Sequence, residues 1–222
     1  STVGGAGVKE GRINMEARFG FESNHNDDFY RFRQHIDYGL TDWYAFRVVT
    51  NQLKRESFDG DYTVTNFENR FQLKKKAVDG WDAGFRLNYN LRDNSNTANT
   101  ISAMAIAETN LGERFTLRHN TILAHDVGND SRSGLSAQIR HRVGYRFKDD
   151  HPFFKGLHTG LEFYHNFGRL KELSGYSNQN HQVGTYLSGK MGSNAHYVVA
   201  YRKGISHAAP NDIAKLTLGY NF

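Results

Sequence analysis

The stretch that decides the fold is residues 12–22, which read RINMEARFGFE. Apolar and polar side chains alternate along it, and the apolar parity consists of Ile13, Met15, Ala17, Phe19 and Phe21. The opposite parity carries Arg12, Asn14, Glu16, Arg18 and Glu22. Successive side chains of a β-strand point to opposite faces, whereas a helix would mix these two sets around its circumference. Residues 12–22 therefore predict a strand with one apolar face and one charged face.

The same period of two recurs along the whole chain of 222 residues. It predicts about twelve strands in a single domain over residues 1–222. Most of these strands have about ten residues or slightly more, a length typical of tilted strands that cross a membrane. The predicted spans are 12–23, 29–40, 43–53, 62–75, 81–92, 99–110, 114–125, 135–147, 157–168, 180–190, 194–204 and 212–222. The pattern is weakest in 99–110, where alanines face Met104 and Ile106 and neither parity is clearly polar.

Composition excludes several classes of protein. Hydrophobic residues make up 38% of the chain, and no run approaches the roughly 18 apolar residues that a membrane-spanning helix needs. A membrane β-barrel remains possible because its strands need an apolar residue only at every second position. The chain has no Cys, which excludes disulfides and thiolate metal sites. Ser1 opens a small, glycine-rich run, the kind of sequence expected at a processed mature N-terminus.

The connections between the predicted strands alternate in length. Short connections fall at 41–42, 77–80, 110–113 and 190–193, and longer polar ones fall at 53–61, 93–98, 126–134 and 168–178. The connection 148–156 breaks this rule, because it is long but belongs with the short set. Short turns at one end and long loops at the other are typical of bacterial outer-membrane barrels. The short-turn end also gathers aromatic residues, as an interfacial girdle does: Trp43, Tyr44, Trp81, Phe115, Phe147 and Phe222.

The orientation of the apolar face separates two fold classes. A soluble β-barrel or sandwich turns its apolar face inward, but the large aromatic residues of twelve long strands would overfill such a closed core. With the apolar face turned to lipid, the aromatic girdle, the alternating connections and the even strand number all follow. We therefore predict an all-β fold, a single antiparallel transmembrane up-and-down β-barrel of about 12 strands, with a soluble β protein as the alternative.

The last strand supports the membrane interpretation. Residues 216–222 read LTLGYNF and end on Phe222. This run resembles the last-strand signal of Gram-negative outer-membrane proteins, which their assembly machinery reads. It implies a location in the bacterial outer membrane and three partners, namely the assembly machinery, membrane lipid and lipopolysaccharide.

Polar residues of the inward parity would line the lumen of such a barrel. The inward arginines are Arg12, Arg18, Arg31, Arg33, Arg47, Arg70, Arg86, Arg92, Arg118, Arg140, Arg142, Arg146 and Arg202. The inward acids are Glu16, Glu22, Asp37, Glu68, Asp82, Glu108 and Glu162. Rings of basic side chains favour anions in a pore, and the guanidinium fork matches carboxylates. This excess of arginine predicts an anion-selective channel, and the inward Tyr62, Tyr164 and Tyr186 could stack on sugar rings.

Strand number, loop alternation and inward arginines together resemble the small oligogalacturonate-specific porin family over the whole chain. The resemblance implies passive uptake of anionic oligosaccharides through a narrow lumen. It also implies a set of lining residues, Arg18, Arg31, Arg33, Arg47, Arg70, Arg86, Arg118, Arg140 and Arg142. Arg202 shares their parity and completes the predicted solute path. The inward Glu and Asp residues depart from a purely basic track.

Other functions remain as alternatives. The acids could neutralise the arginines and plug the lumen, which would leave a structural or adhesive barrel whose extracellular loops bind a partner. An outer-membrane lipid-modifying enzyme would need a Ser–His–acid set, but no Ser lies two residues from His119 or His141 on their parity. His35, His158 and His196 share the lumen parity without a close pair, so we expect no metal site, no cofactor and no enzymatic activity. We also expect no nucleic-acid partner. Polar residues break the apolar parity at Asn69, His119, His141 and His165.

Overall fold

The computed structural model describes residues 3–24, 28–55, 62–93, 97–148 and 156–222. Parts of four predicted loops, at 25–27, 56–61, 94–96 and 149–155, lie outside the described residues. All twelve predicted strands are confirmed, with ends within two residues of the predicted ones. They are β1 Ile13–Ser23, β2 Phe29–Gly39, β3 Tyr44–Arg55, β4 Tyr62–Lys74, β5 Trp81–Arg92, β6 Asn99–Leu111, β7 Phe115–Val127, β8 Leu135–Arg146, β9 His158–Arg169, β10 Asn180–Met191, β11 Ala195–Gly204 and β12 Asp212–Asn221.

The strands close into one barrel. Each strand pairs antiparallel with its chain neighbours, and β1 closes the barrel against β12, where Ala17 faces Leu218. A short helix α1, Lys76–Asp79, forms the turn between β4 and β5, and two 3-10 turns, Leu170–Glu172 and Tyr176–Asn178, lie between β9 and β10. The predicted fold class, an antiparallel up-and-down barrel of twelve strands, is therefore confirmed. Among the described residues, no helix is long and apolar enough to cross a bilayer.

The barrel is apolar outside and charged inside. On β1, the outward side chains of Met15 and Phe19 are 46% and 49% exposed. Inside, Glu68 is 3% exposed and Glu162 is fully buried. A soluble barrel has the opposite arrangement, because exposed apolar surface is unfavourable in water and buried charge needs partners. The apolar outer wall therefore faces lipid. Strand β6 is an exception within the lumen, since Met104 and Ile106 point inward and are buried.

Aromatic rings are clustered on the outer wall at the short-turn end. Phe71 stacks on Phe85 with 4.4 Å between ring centroids, and Tyr44 stacks on Phe71 at 5.1 Å. Farther around the barrel, Phe115 packs on Tyr145 at 5.2 Å. Amphipathic aromatic rings favour the membrane–water interface, so this end of the barrel lies at one surface of the bilayer.

The segment before β1 folds into the barrel, a position that the alternating sequence pattern does not predict. Val3 is fully buried, and Ala6 packs against Met104, Ile106 and Ile122 inside the lumen. The segment enters past the end of β2, where a Cβ on Gly39 would collide with the carbonyl oxygen of Lys9. Residues 3–9 therefore occupy the lumen from its short-turn end to its middle.

Candidate functional site: the charged lumen

The interior contains several cavities, and all ten arginines of the predicted solute path line them. A cavity of about 410 Å³ opens toward the end with the longer connections. It is lined by six of these residues, Arg18, Arg31, Arg33, Arg86, Arg140 and Arg202. A second cavity of about 280 Å³ at the middle of the barrel adds the remaining four, Arg47, Arg70, Arg118 and Arg142.

The carboxylate of Glu68 joins three arginines from three strands. Its oxygens lie 3.3 Å from Arg33, 3.5 Å from Arg47 and 3.3 Å from Arg86. Glu68 is on β4, and its neighbours are on β2, β3 and β5, so the register of four adjacent strands brings these groups together. A buried carboxylate is costly unless it is paired, and here several guanidinium groups supply the pairing.

A second group of acids lies toward the short-turn end. Asp37 accepts a hydrogen bond from Nε of Arg47 at 3.0 Å and from Nη1 of Arg70 at 3.0 Å. Glu16 pairs with Arg18, and Nδ1 of His35 lies 3.6 Å from the same carboxylate. These contacts tie strands β1 to β4 together along the inner face of the wall.

A third cluster of polar contacts surrounds Glu162, on the wall opposite Glu68. It accepts a hydrogen bond from Nε of Arg142 at 2.8 Å and from the hydroxyl of Tyr164 at 2.9 Å. Nζ of Lys215 lies 4.0 Å away. The guanidinium of Arg142 also lies 4.2 Å from the ring centroid of Tyr186, a cation–π contact. Arg142 is therefore held in place by an acid and an aromatic ring.

Ion pairs with acids among the described residues hold most of these arginines in this way, including Arg31 with Glu22 at 3.5 Å and Arg118 with Glu108. Arg140 and Arg202 lie beside Tyr164. Arg202 lies 4.2 Å from the Tyr164 ring centroid and Arg140 lies 5.8 Å from it, while Nη2 of Arg140 donates to Gln138 at 2.9 Å. Nε of Arg202 has no hydrogen-bond partner among the described residues. The side chain of Tyr62, the third predicted inward tyrosine, lies outside the described residues.

Several lumen side chains contact the inserted segment and do not face the open cavity. Arg118 donates to the carbonyl of Val3 at 3.1 Å, and Arg70 donates to the carbonyl of Gly7 at 3.1 Å. Oε1 of Gln72 accepts from the backbone N–H of Val8 at 2.9 Å. Arg70 and Arg118 thus have a structural role that their parity did not reveal. The available sequence signal was the pair of apolar residues, Val3 and Ala6, within a glycine-rich run.

The hydrogen-bonding surface of the large cavity is completed by amides. Four asparagines from β3, β4 and β5 line it, namely Asn51, Asn66, Asn88 and Asn90. Nδ2 of Asn88 donates to Ser102 at 3.1 Å and Nδ2 of Asn90 donates to Thr100 at 2.6 Å. The carbonyl oxygens of Asn66 and Asn88 have no hydrogen-bond partner among the described residues. The cavity therefore combines guanidinium groups with neutral hydrogen-bonding groups.

The protein is similar to known proteins in structure but not in sequence. No family model matches the sequence, and no curated protein matches it. The COG4313 outer membrane channel from Pseudomonas putida F1 aligns with a TM-score of 0.70 at 10% identity, over 100% of both chains. The KdgM porin aligns with a TM-score of 0.63 at 11% identity, over 94% of this chain and 99% of that one, and its complex with disordered oligogalacturonate aligns equally well. The chain thus has the KdgM-like twelve-strand barrel fold of these outer-membrane proteins, and this fold together with the apolar outer wall supports a bacterial outer-membrane β-barrel.

Proposed function

We propose that the barrel is a channel for passive diffusion of small anionic solutes, with acidic oligosaccharides as the preferred class. The observation that carries this proposal is the charge of the large cavity. Eight basic side chains line it, against three acidic ones, Glu22, Glu68 and Asp126. A lumen with this excess attracts anions and repels cations, since low-dielectric walls strengthen the field of the lining charges.

The neutral side chains of the same cavity favour a sugar over a simple inorganic anion. An acidic sugar offers carboxylates, which guanidinium groups bind with two parallel hydrogen bonds, and hydroxyls, which amides bind. Arg31 and Arg202 supply the first kind of group in this cavity, and Asn66 and Asn88 supply the second. The ring of Tyr164 is already covered by Arg202, so stacking of a sugar on this ring would require the guanidinium to move.

A second candidate function is a barrel with a closed lumen that serves a structural or adhesive role. Two observations favour it. Residues 3–9 fill part of the lumen, and the ion pairs around Glu68 and Glu162 lie within its interior. In that case the long connections would carry the function by binding a partner. Neither candidate assigns catalysis or a cofactor to the chain.

Single-channel recording in a planar bilayer under a KCl gradient separates the two candidates. An open basic lumen gives discrete current steps and a reversal potential that favours chloride, and oligogalacturonate then blocks the current more strongly than a neutral oligosaccharide of equal length. Folded, inserted protein that gives no steps supports the closed barrel.

Two lumen variants and one control variant test whether the charge of the large cavity sets the selectivity. R31S and R202S each remove a positive charge from the large cavity, whereas K203S removes one from the exposed outer wall. We expect the first two to lower chloride preference and K203S to leave it unchanged. Equal effects of all three variants would contradict a selectivity set by the lumen.

A further inference from the structure

Four histidines form a row across the outer wall of strands β7 to β10. Nδ1 of His119 lies 3.2 Å from Nδ1 of His141, and Nδ1 of His165 lies 3.0 Å from Nδ1 of His181. The two pairs are adjacent, with 6.3 Å between the ring centroids of His141 and His165. Ionisable or strongly polar groups on the lipid-facing wall of a membrane protein are costly and therefore point to a function.

The tautomer of His181 is fixed by its surroundings. Nε2 of His181 lies 3.0 Å from Oε1 of Gln179, while Nε2 of Gln179 donates to the carbonyl of Ser174 at 2.7 Å. The amide oxygen of Gln179 must therefore face His181, and because this oxygen only accepts, Nε2 of His181 carries the proton. Nδ1 of His181 therefore carries a lone pair and accepts a hydrogen bond from Nδ1–H of His165. A metal ion that binds both Nδ1 atoms takes the place of this proton, which moves to Nε2 of His165 or to solvent. Metal-binding histidines show this arrangement, since an outer partner orients the ring and sets the tautomer.

The spacing of the two Nδ1 atoms suits a shared metal ion. A zinc–imidazole bond is about 2.0–2.1 Å, so two tetrahedral nitrogen ligands lie roughly 3.4 Å apart. The observed 3.0 Å needs the rings to separate by only a few tenths of an ångström. Among the described residues, no group of three or more His, Asp or Glu side chains is placed to hold a metal, so the pair would supply two ligands and water the others.

The His165–His181 pair lies closer to a membrane surface than the His119–His141 pair. His181 is the second residue of β10, at the end of the barrel with the longer connections, whereas His119 and His141 lie farther along their strands toward the short-turn end. The ring of Tyr176, in the connection before β10, stacks on His181 with 4.4 Å between centroids. His181 is only 3% exposed, so this ring and the neighbouring Phe167 shield the pair from lipid.

We propose that His165 and His181 form a chelating site on the outer wall for a divalent transition-metal ion of the zinc class, with Gln179 as the positioning residue. Imidazole is a good ligand for zinc, copper and nickel, and a poor one for magnesium and calcium. The His119–His141 pair, with 3.2 Å between its Nδ1 atoms, has the hydroxyl of Thr121 rather than an amide as the outer partner of His119, so it provides an internal comparison.

Isothermal titration calorimetry tests the proposal: zinc is added to the refolded full-length barrel in detergent micelles, and the heat of binding is measured. We expect one binding site, loss of binding in H165N and H181N, and affinity about 10- to 100-fold weaker in Q179L, the usual effect of removing an outer partner. H141N should bind as the wild type does, and so should H125N, whose ring contacts the carbonyl of Gly134. Magnesium should give no heat.

A spectroscopic readout separates chelation from a general effect on folding. Copper bound between two imidazoles shows nitrogen splitting from two ligands in its electron paramagnetic resonance spectrum, and this signal should be absent from H165N and H181N. Wild-type protein that binds no zinc at millimolar concentration would overturn the proposal, as would unchanged binding in H165N and H181N. Loss of binding in H141N alone would also overturn it.

Discussion

Asn120 holds Gly4 by both of its backbone groups. Oδ1 of Asn120 accepts from the N–H of Gly4 at 2.7 Å, and Nδ2 donates to the carbonyl of Gly4 at 3.0 Å. A fully buried side chain of the barrel wall thus pairs with the inserted segment as a neighbouring strand would. Gly4 fits because a Cβ there would lie 2.9 Å from Nη2 of Arg86. The segment is therefore bound in the lumen by specific contacts rather than placed there by packing alone.

Deletion of residues 3–9 should raise the single-channel conductance severalfold. The segment fills the short-turn half of the lumen, and its removal also frees Arg70 and Arg118 from the carbonyls of Gly7 and Val3. We expect N120A to give the same change in part, since it removes both hydrogen bonds to Gly4. Planar-bilayer recording measures the effect. N194A, at an exposed turn position, is the matched control, and equal conductance in all four proteins would show that the segment does not limit flow.

Gly39→Ala should destabilise the barrel and displace the inserted segment. A methyl group at this position would collide with the carbonyl oxygen of Lys9, and both partners are backbone groups that adjust poorly. Overpacking of this kind costs about 1–3 kcal/mol. Urea unfolding in micelles measures the loss.

Gly175→Ala is the matched control for this substitution, because a Cβ there would meet nothing within 4 Å. We expect its free energy of unfolding to equal that of the wild type. Equal stability of the two variants would mean that residues 9 and 39 do not approach each other as closely as the structure shows.

The sequence predicts the wall of the barrel better than its contents. Alternation such as that of Arg18 and Phe19 fixes which residues point inward, because the period of a strand is two. Alternation does not fix the register, that is, which residues of two neighbouring strands lie side by side. The three arginines around Glu68 and the contact of His165 with His181 both depend on this register. Residues 3–9 show no alternation, and their place in the lumen depends on side chains far along the chain, such as Asn120.

Arg142→Ser should be far more damaging to stability than Arg31→Ser. Glu162 is fully buried, and loss of Arg142 leaves its carboxylate without its strongest partner, a change that costs about 3–5 kcal/mol for a buried pair. Arg31 is partly exposed and lies 3.5 Å from Glu22, so its removal should cost about 1 kcal/mol or less. Urea unfolding compares the two variants.

The double variant R142M/E162M separates charge pairing from packing. Replacement of both partners removes the uncompensated charge, and we expect it to recover most of the stability lost in R142S. A double variant as unstable as R142S would show that the ion pair contributes through its shape and its contact with Tyr186 rather than by neutralising Glu162.

Substitution of Asn66 and Asn88 by Ala should distinguish a sugar channel from a general anion channel. Both residues line the large cavity, and neither carries charge, so chloride preference should stay the same. An acidic oligosaccharide would lose hydrogen bonds to its hydroxyls, each worth about 0.5–1.5 kcal/mol, and its block of the current should weaken by up to about tenfold per residue. Titration with trigalacturonate measures the concentration that blocks the current in each variant.

R31S should instead weaken the block and the chloride preference together, because it removes charge. Unchanged block in the asparagine double variant, with a reduced block in R31S, would mean that the cavity recognises only the charge of the solute.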